Sequence, residues 1–327
     1  MNLQPKNVKT EAALRLSNAP GNYKKIILLY SLITLGAGLL CQLIFFVTDL
    51  MIANTGGLSG MATRTILKTI QAGVPALINS LMIIWVFGLT RTVLLMTRQE
   101  RLDNDILLSG FRRFSSVLRM YLVLFVIYWV LLIVTLQSLT ILLSFLPYGA
   151  QLLDPMMAYA EDPALMEAAM TDPEVAAELL VDMWPLLAIW LSVAFLVSIP
   201  VTYCLRLCFY RIMDDNAPGA IRSAIQSFKL MKGHIFDLVK LDLSFWWYYL
   251  LTMVTALIVE IPAFLPAPYN AEWAYLVFAV IHALVSLWIY TRFLLRVESA
   301  YAVFYDMLLE AKKAPAPPQP YWQYPQQ

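Results

Sequence analysis

Apolar residues recur along this chain in six long runs, at about 26–51, 72–96, 120–146, 184–205, 236–264 and 273–295, separated by polar or charged connections. Each run is long enough for a helix that crosses a hydrocarbon core, which takes about 20 residues. The pattern predicts an all-α polytopic membrane domain of six transmembrane helices over 26–310. A polar, amphipathic lead-in, 1–25, precedes it, and a Pro-rich tail, 311–327, follows. The first run exceeds the roughly 7–15 residues of a signal-peptide core, so it is expected to stay in the membrane as a span. The tail, reading APAPPQPYWQYPQQ from Ala314, cannot bury a core and is expected to be extended and disordered.

Short basic, amphipathic segments precede runs one, three and five, around 11–25, 99–119 and 218–234, and are predicted to be interfacial helices. The unit of interfacial helix plus helical hairpin therefore recurs. Shifting Gly110–Thr135 by 117 positions lays Phe111 on Phe228, Arg112 on Lys229, Trp129 on Trp246 and Thr135 on Thr252. Such copies share one orientation, which makes a parallel repeat.

Charge sets the topology. The N-terminus, 91–119, 206–240 and the tail from Arg292 hold 21 of the 23 Lys and Arg residues, leaving Arg64 and Lys68 for the other face. The positive-inside rule then puts both termini in the cytoplasm. The opposite face carries an acidic loop, 148–183, with Asp154, Glu161, Asp162, Glu167, Asp172, Glu174, Glu178 and Asp182. Asp162-Pro163 and Thr171-Asp172-Pro173-Glu174 have the acceptor and proline of helix starts, and predict short surface helices at about 163–170 and 173–182. The acids lack the alternation of a calcium loop, so the favoured reading is a solvated cap. Glycines 56, 57 and 60 are read as loop residues, Pro200 as a kink in span four and Pro262 as the close of span five. Tyr23, Tyr121, Trp184, Tyr203, Tyr210, Trp273 and Tyr290 fit interfacial aromatic belts. The composition, 60% hydrophobic and 14% charged, agrees with the membrane reading, and the net charge of +1, sorted by side, gives no basic patch for nucleic acid.

Two groups of residues are candidates for chemistry. The first is an intramembrane polar set: Asp242 in the opening turns of span five, Arg206 and Arg292 as rival partners for it, and His282 near the middle of span six. An isolated carboxylate at such a depth costs about 2.5 kcal/mol or more, so a helix–helix ion pair is the favoured reading over a proton or substrate relay. The second is an interfacial motif, Lys229, Lys232, Gly233, His234 and Asp237, in which His234 and Asp237 share a helical face. Cys41, Cys204 and Cys208 all fall in apolar runs, without disulfide or zinc spacing. No metal site, cofactor motif or catalytic constellation is expected, and the chain reads as not an enzyme.

Met231-Lys232-Gly233-His234, followed by Leu241-Asp242-Leu243-Ser244-Phe245, resembles a family of bacterial integral membrane proteins known as domain of unknown function family 975. Pro268-Tyr269 before the last helix, and Leu14–Ile27 with Gly21-Asn22-Tyr23, extend the resemblance. It implies a multi-pass protein of the bacterial cytoplasmic membrane and no particular activity. The function expected on these grounds is that of a non-enzymatic membrane component acting through membrane lipids, or through a protein partner at its cytoplasmic face or Pro-rich tail. The alternative is a transporter or permease subunit for a small solute, with Asp242, His282 and the Pro200 kink along a path.

Overall fold

The computed structural model of the protein describes residues 3–19, 23–53, 59–102, 105–161, 173–214, 218–264, 266 and 272–313. Among them the regular structure is helical, with no strand. Six helices are long and apolar enough to cross a membrane: Tyr23–Ala53, Thr63–Thr97, Phe114–Ser144, Ala177–Met213, Trp246–Phe264 and Trp273–Lys312. The chain forms two compact units, one from Met1–Leu118 with Leu207–Gln327, the other from Arg119–Arg206.

In the first unit α1 (Pro5–Ser17) leads to α2 (Tyr23–Ala53) and α3 (Ser59–Thr97). Pro5 sits at the start of α1, where its missing N–H would have had no helical partner. The connection after α3 holds a single 3₁₀ turn, Ile106–Leu108, and the short α4, Ser109–Arg112. Two glycines seat this connection on α3. A Cβ at Gly88 would collide with the carbonyl of Leu107, and one at Gly110 with the carbonyl of Ile84. Backbone thus meets backbone at both points, as in close helix contacts within membranes.

In the second unit α5 (Phe114–Ser144), α6 (Pro147–Glu161) and α7 (Pro173–Leu205) enclose a small core of Leu139, Leu143, Leu153 and Leu186. Tyr128 Oη and Thr202 Oγ1 lie 2.9 Å apart between α5 and α7. Large apolar side chains such as Phe125, Trp129, Leu191 and Phe195 are exposed, as befits helices whose solvent is lipid.

The first unit resumes with α8 (Cys208–Met213), α9 (Ala220–Met231), α10 (Ile235–Leu243) and α11 (Trp246–Ala256), the last tightening into a 3₁₀ stretch, Leu257–Phe264. Then α12 (Glu272–Ile289) passes through one π turn, Tyr290–Leu294, into α13 (Leu295–Lys313). Span one packs on spans two and six, and span five on span six. At about 1.5 Å per residue the 40 residues Trp273–Lys312 reach about 60 Å, roughly twice a hydrocarbon core. The second half therefore leaves the bilayer as α13. There it becomes the centre of the best-packed region: Ala300–Tyr305 are wholly buried, against α1 on one side and the end of α3 on another.

Several boundaries differ from the sequence pattern. The connection expected as the first outer loop, 53–71, is helical from Ser59, where α3 begins before running on through Pro75. The expected surface helix at 173–182 is the start of α7, which continues through Pro185 and Pro200, while the one expected at 163–170 lies outside the described residues. The helix α6 was not foreseen, since its composition is neither a span nor a loop. Tyr210, expected in an aromatic belt, is a core residue whose hydroxyl donates to Glu298 Oε2 at 3.1 Å. The Pro-rich tail from Ala314 also lies outside the described residues.

The largest correction concerns span five. The segment from Phe236 does not run into the membrane helix as one rod. Gly233 takes φ +87°, a conformation open to glycine, and ends α9 from α10. Ser244 then turns its hydroxyl and its N–H back onto the carbonyls of the preceding turn, and Phe245 N–H bonds Asp242 O at 2.9 Å. A serine that competes for its own backbone in this way breaks a helix. The span begins at Trp246, and Asp237, Lys240 and Asp242 ride on a separate short helix before it. The proposed repeat is similar only in part: Phe111 and Phe228 are 39% and 40% exposed, but the helix after Phe114 is unbroken whereas its counterpart breaks twice.

Candidate functional site

The polar chemistry of the first unit gathers where α1, α3, α8, α10 and α13 meet. Arg98, just after α3, donates from Nη1 to Asp214 Oδ1 at 2.9 Å and from Nη2 and Nε to Asp306 Oδ1 at 2.8 and 3.2 Å. Burial works against its charge, but the hydrogen bonds to Asp214 and Asp306 outweigh that and lift its pKa above the ordinary arginine value. Tyr305 Oη donates to Asp214 Oδ2 at 3.0 Å, and Arg15 and Arg211 approach Asp306 and Asp214 at 3.5 Å each. The carbonyls that end α8 are taken by Arg91 on Met213 O at 2.9 Å and Arg113 on Asp214 O at 3.0 Å. This is a helix C-terminus closed by cations, with favourable dipole interaction. With every carboxylate bonded and half-buried or deeper, the cluster reads as the fastening of the core.

Asp242 has another partner than the arginine expected for it. Its Oδ1 accepts from the hydroxyl of Tyr301, a residue with no exposed surface, and that hydroxyl in turn meets the hydroxyl of Tyr249. Since Tyr301 gives its proton to the carboxylate, Tyr249 donates to Tyr301. The chain Tyr249–Tyr301–Asp242 ties α11, α13 and α10. Arg292 is exposed in the π turn and His282 lies half-buried within α12, neither hydrogen-bonded to Asp242, and Arg206 belongs to the second unit. Within the first unit neither Arg292 nor His282 is brought to Asp242. The relocation of Asp242 out of the span explains this: a carboxylate before the membrane helix does not need an ion pair, and a buried phenol suffices.

The interfacial motif is placed on one surface. In α9 the small residues Ser223, Ala224 and Ser227 are buried against the protein, while Ile221, Ile225 and Phe228, at helical spacing, are exposed between Arg222 and Lys229. Helix α10 repeats the arrangement with Phe236 and Leu243 exposed beside Lys240. His234 Nδ1 and Asp237 Oδ2 are 3.2 Å apart across the start of α10, and Lys232 and Gly233 form the turn between the two helices. Lys312, near the end of α13, donates to the Lys229 carbonyl. Apolar side chains facing outward with cations at their flanks are the mark of a helix lying in a membrane surface.

Beside this surface lies a cavity of about 480 Å³ between α1, the first residue of α2, the turn before span five and the start of α13. Lys9 and Arg296 are on its wall with Tyr23, Phe245 and Trp247. Lys9 Nζ donates to Ser244 O at 2.7 Å and stands 4.0 Å from the centroid of the Phe245 ring. Burial pushes its ammonium below the ordinary lysine value. Among the described residues no group of three or more His, Cys, Asp or Glu side chains converges to hold a metal. The candidate site is thus this cavity with the outward faces of α9 and α10. The sequence pattern missed the cavity and the Arg98 cluster. The available signal was Asp306 set in Tyr-Ala-Val-Phe-Tyr-Asp-Met-Leu-Leu, an acid within a buried-looking helical stripe.

The family described as "Protein of unknown function (DUF975)" matches residues 1–312. The chain belongs to this family. The match includes the motif from Met231 to Phe245 and the whole of the two compact units as far as the end of α13. The family description assigns no activity, so it supports the architecture and leaves the chemistry to the site. No curated protein and no solved structure matches the chain.

Proposed function

We propose that this protein is a non-enzymatic membrane component that works through contacts with anionic lipid headgroups on the side where its terminal helices pack. The observation that carries the reading is α9, in which Ile221, Ile225 and Phe228 face outward while Ser223, Ala224 and Ser227, with Leu230 and Met231 at its end, face the core. A soluble surface helix would keep the outward stripe polar. Arg222, Lys229 and Lys232 flank the apolar stripe and are exposed, and each basic residue near an anionic surface is worth roughly 1 kcal/mol. The sorting of Lys and Arg makes this side the cytoplasmic one, and anionic lipid there would be met by α1, α9 and α10 together.

The test uses the full chain in nanodiscs of mixed phosphatidylcholine and phosphatidylglycerol. Extraction of the retained lipid should show phosphatidylglycerol enriched over the starting mixture. Enrichment should fall in the Lys229→Gln, Lys232→Gln double variant, and enrichment that stays the same in that variant removes the reading.

A further inference from the structure

The cavity beside α1 has a chemistry that the packing of the unit does not require. Among the described residues that line it there is no Asp or Glu, yet it holds two cations. The ammonium of Lys9 uses one of its three donors on Ser244 O. The guanidinium of Arg296 makes no hydrogen bond or ion pair among the described residues, and the same is true of the Tyr23 hydroxyl and the Trp247 indole N–H. Arg98, in the same unit, spends its guanidinium on two carboxylates. The contrast is between a cation used by the fold and a hollow whose donors are unspent.

Two further observations set the depth and the size of what fits. Tyr23 is the first residue of span one, and Trp246, beside Trp247, is the first of span five. The cavity therefore lies where spans leave the hydrocarbon, at headgroup level. Its volume of about 480 Å³ falls in the ordinary range of small-ligand sites, roughly 300–1,000 Å³. Its wall is mostly apolar, with Leu16, Phe245 and the ring of Trp247 beside the two cations, so it suits a group that is charged at one end and greasy at the other.

We propose that this cavity is a binding site for a phosphoryl anion, and that its occupant is the headgroup phosphate of an anionic phospholipid. Arg296 would take two phosphate oxygens through its fork and Lys9 a third oxygen as a point charge. The glycerol backbone would lie along Trp247 and Tyr23, at the ends of spans five and one. The inference rests on the lipid-contact reading and gives it a discrete site. It is separate from α9, whose cations lie on an open surface.

Native mass spectrometry of the full chain, titrated with phosphatidylglycerol and in parallel with phosphatidylcholine, tests it. One tightly held phosphatidylglycerol is expected above any looser shell. Arg296→Gln should weaken that one by about tenfold, the worth of one charge-assisted phosphate contact, with the unfolding temperature unchanged because the Arg296 guanidinium makes no hydrogen bond or ion pair among the described residues. Lys9→Gln should weaken it likewise, and Arg296→Lys less than Arg296→Gln. Retention of the tight lipid in Arg296→Gln overturns the site, as does equal binding of phosphatidylcholine. A second arm adds inorganic phosphate. Failure of phosphate to displace the lipid supports a lipid occupant, whereas Arg296-dependent phosphate binding without retained lipid overturns it in favour of a soluble phosphate compound. The Lys229→Gln, Lys232→Gln variant keeps the two readings apart, since it should lower general enrichment yet leave the single tight lipid in place.

Discussion

Arg98 and Asp306 are 208 residues apart in sequence and share two hydrogen bonds, at 2.8 and 3.2 Å, between the end of α3 and the middle of α13. The pair fastens the last helix to the second span, and Asp214 extends the fastening to α8. Removing Asp306 leaves Arg98 with Asp214 alone, and removing Arg98 leaves Asp306, 9% exposed, with only the longer 3.5 Å approach of Arg15 among the described residues. Asp306→Leu or Arg98→Met should each destabilise the fold by about 3 kcal/mol. The double variant should cost less than the sum, because it removes both charges at once. Thermal unfolding in detergent measures all three, and simple additivity would show that the pair contributes little as a pair.

The seat of α4 on α3 predicts a contrast among glycines. Gly88→Ala and Gly110→Ala drive a methyl group into a carbonyl and should destabilise by about 1–3 kcal/mol each. Gly36 and Gly38 lie in α2 with nothing near where a Cβ would go. Gly36→Ala and Gly38→Ala should therefore raise stability by roughly 0.5–1 kcal/mol through helix propensity alone. Equal effects at all four positions would contradict the packing described.

Tyr301→Phe removes the donor to Asp242 and interrupts the chain to Tyr249. The expected loss is about 1–3 kcal/mol, the cost of leaving a part-buried polar group unpaired. Asp242→Asn retains an acceptor for the same hydroxyl and should be milder. A milder Tyr301→Phe would mean that water, not the phenol, satisfies the carboxylate.

The outward face of α9 makes a depth prediction. A spin label at Ile225→Cys, with Cys41, Cys204 and Cys208 replaced by Ser, should collide more with oxygen than with a water-soluble nickel chelate. A label at Lys229→Cys should show the opposite. Both labels meeting the chelate equally would take α9 off the membrane surface.

How much of this was legible in the sequence depends on what kind of force decides each part. The spans were legible because burying about 20 apolar residues in lipid is a local demand, satisfied run by run. The break at Ser244 was not, because it turns on one hydroxyl bonding to Leu241 O within a stretch whose composition is that of a span. Nor was the core around α13: Arg98 lies 116 residues from Asp214 and 208 from Asp306, and nothing local marks them as neighbours. The expectation of an arginine for Asp242 followed from placing that residue too deep. The His234–Asp237 contact at 3.2 Å, by contrast, needs only the three-residue spacing that the sequence displays.

The position of α13 at the centre of the first unit also bears on how the protein is made. Synthesis runs from the N-terminus, so α1, α3, α8, α9 and α10 all emerge before the helix they enclose. Until Leu295–Lys313 has left the ribosome, the face of α3 that packs on α13 is uncovered, and Arg98 lacks one of its two carboxylates. The spans can insert one after another, but this unit closes only once, when α13 emerges. A nascent chain halted before Leu295 would carry its membrane helices and an open interior together, the kind of half-assembled species on which chaperones and proteases act.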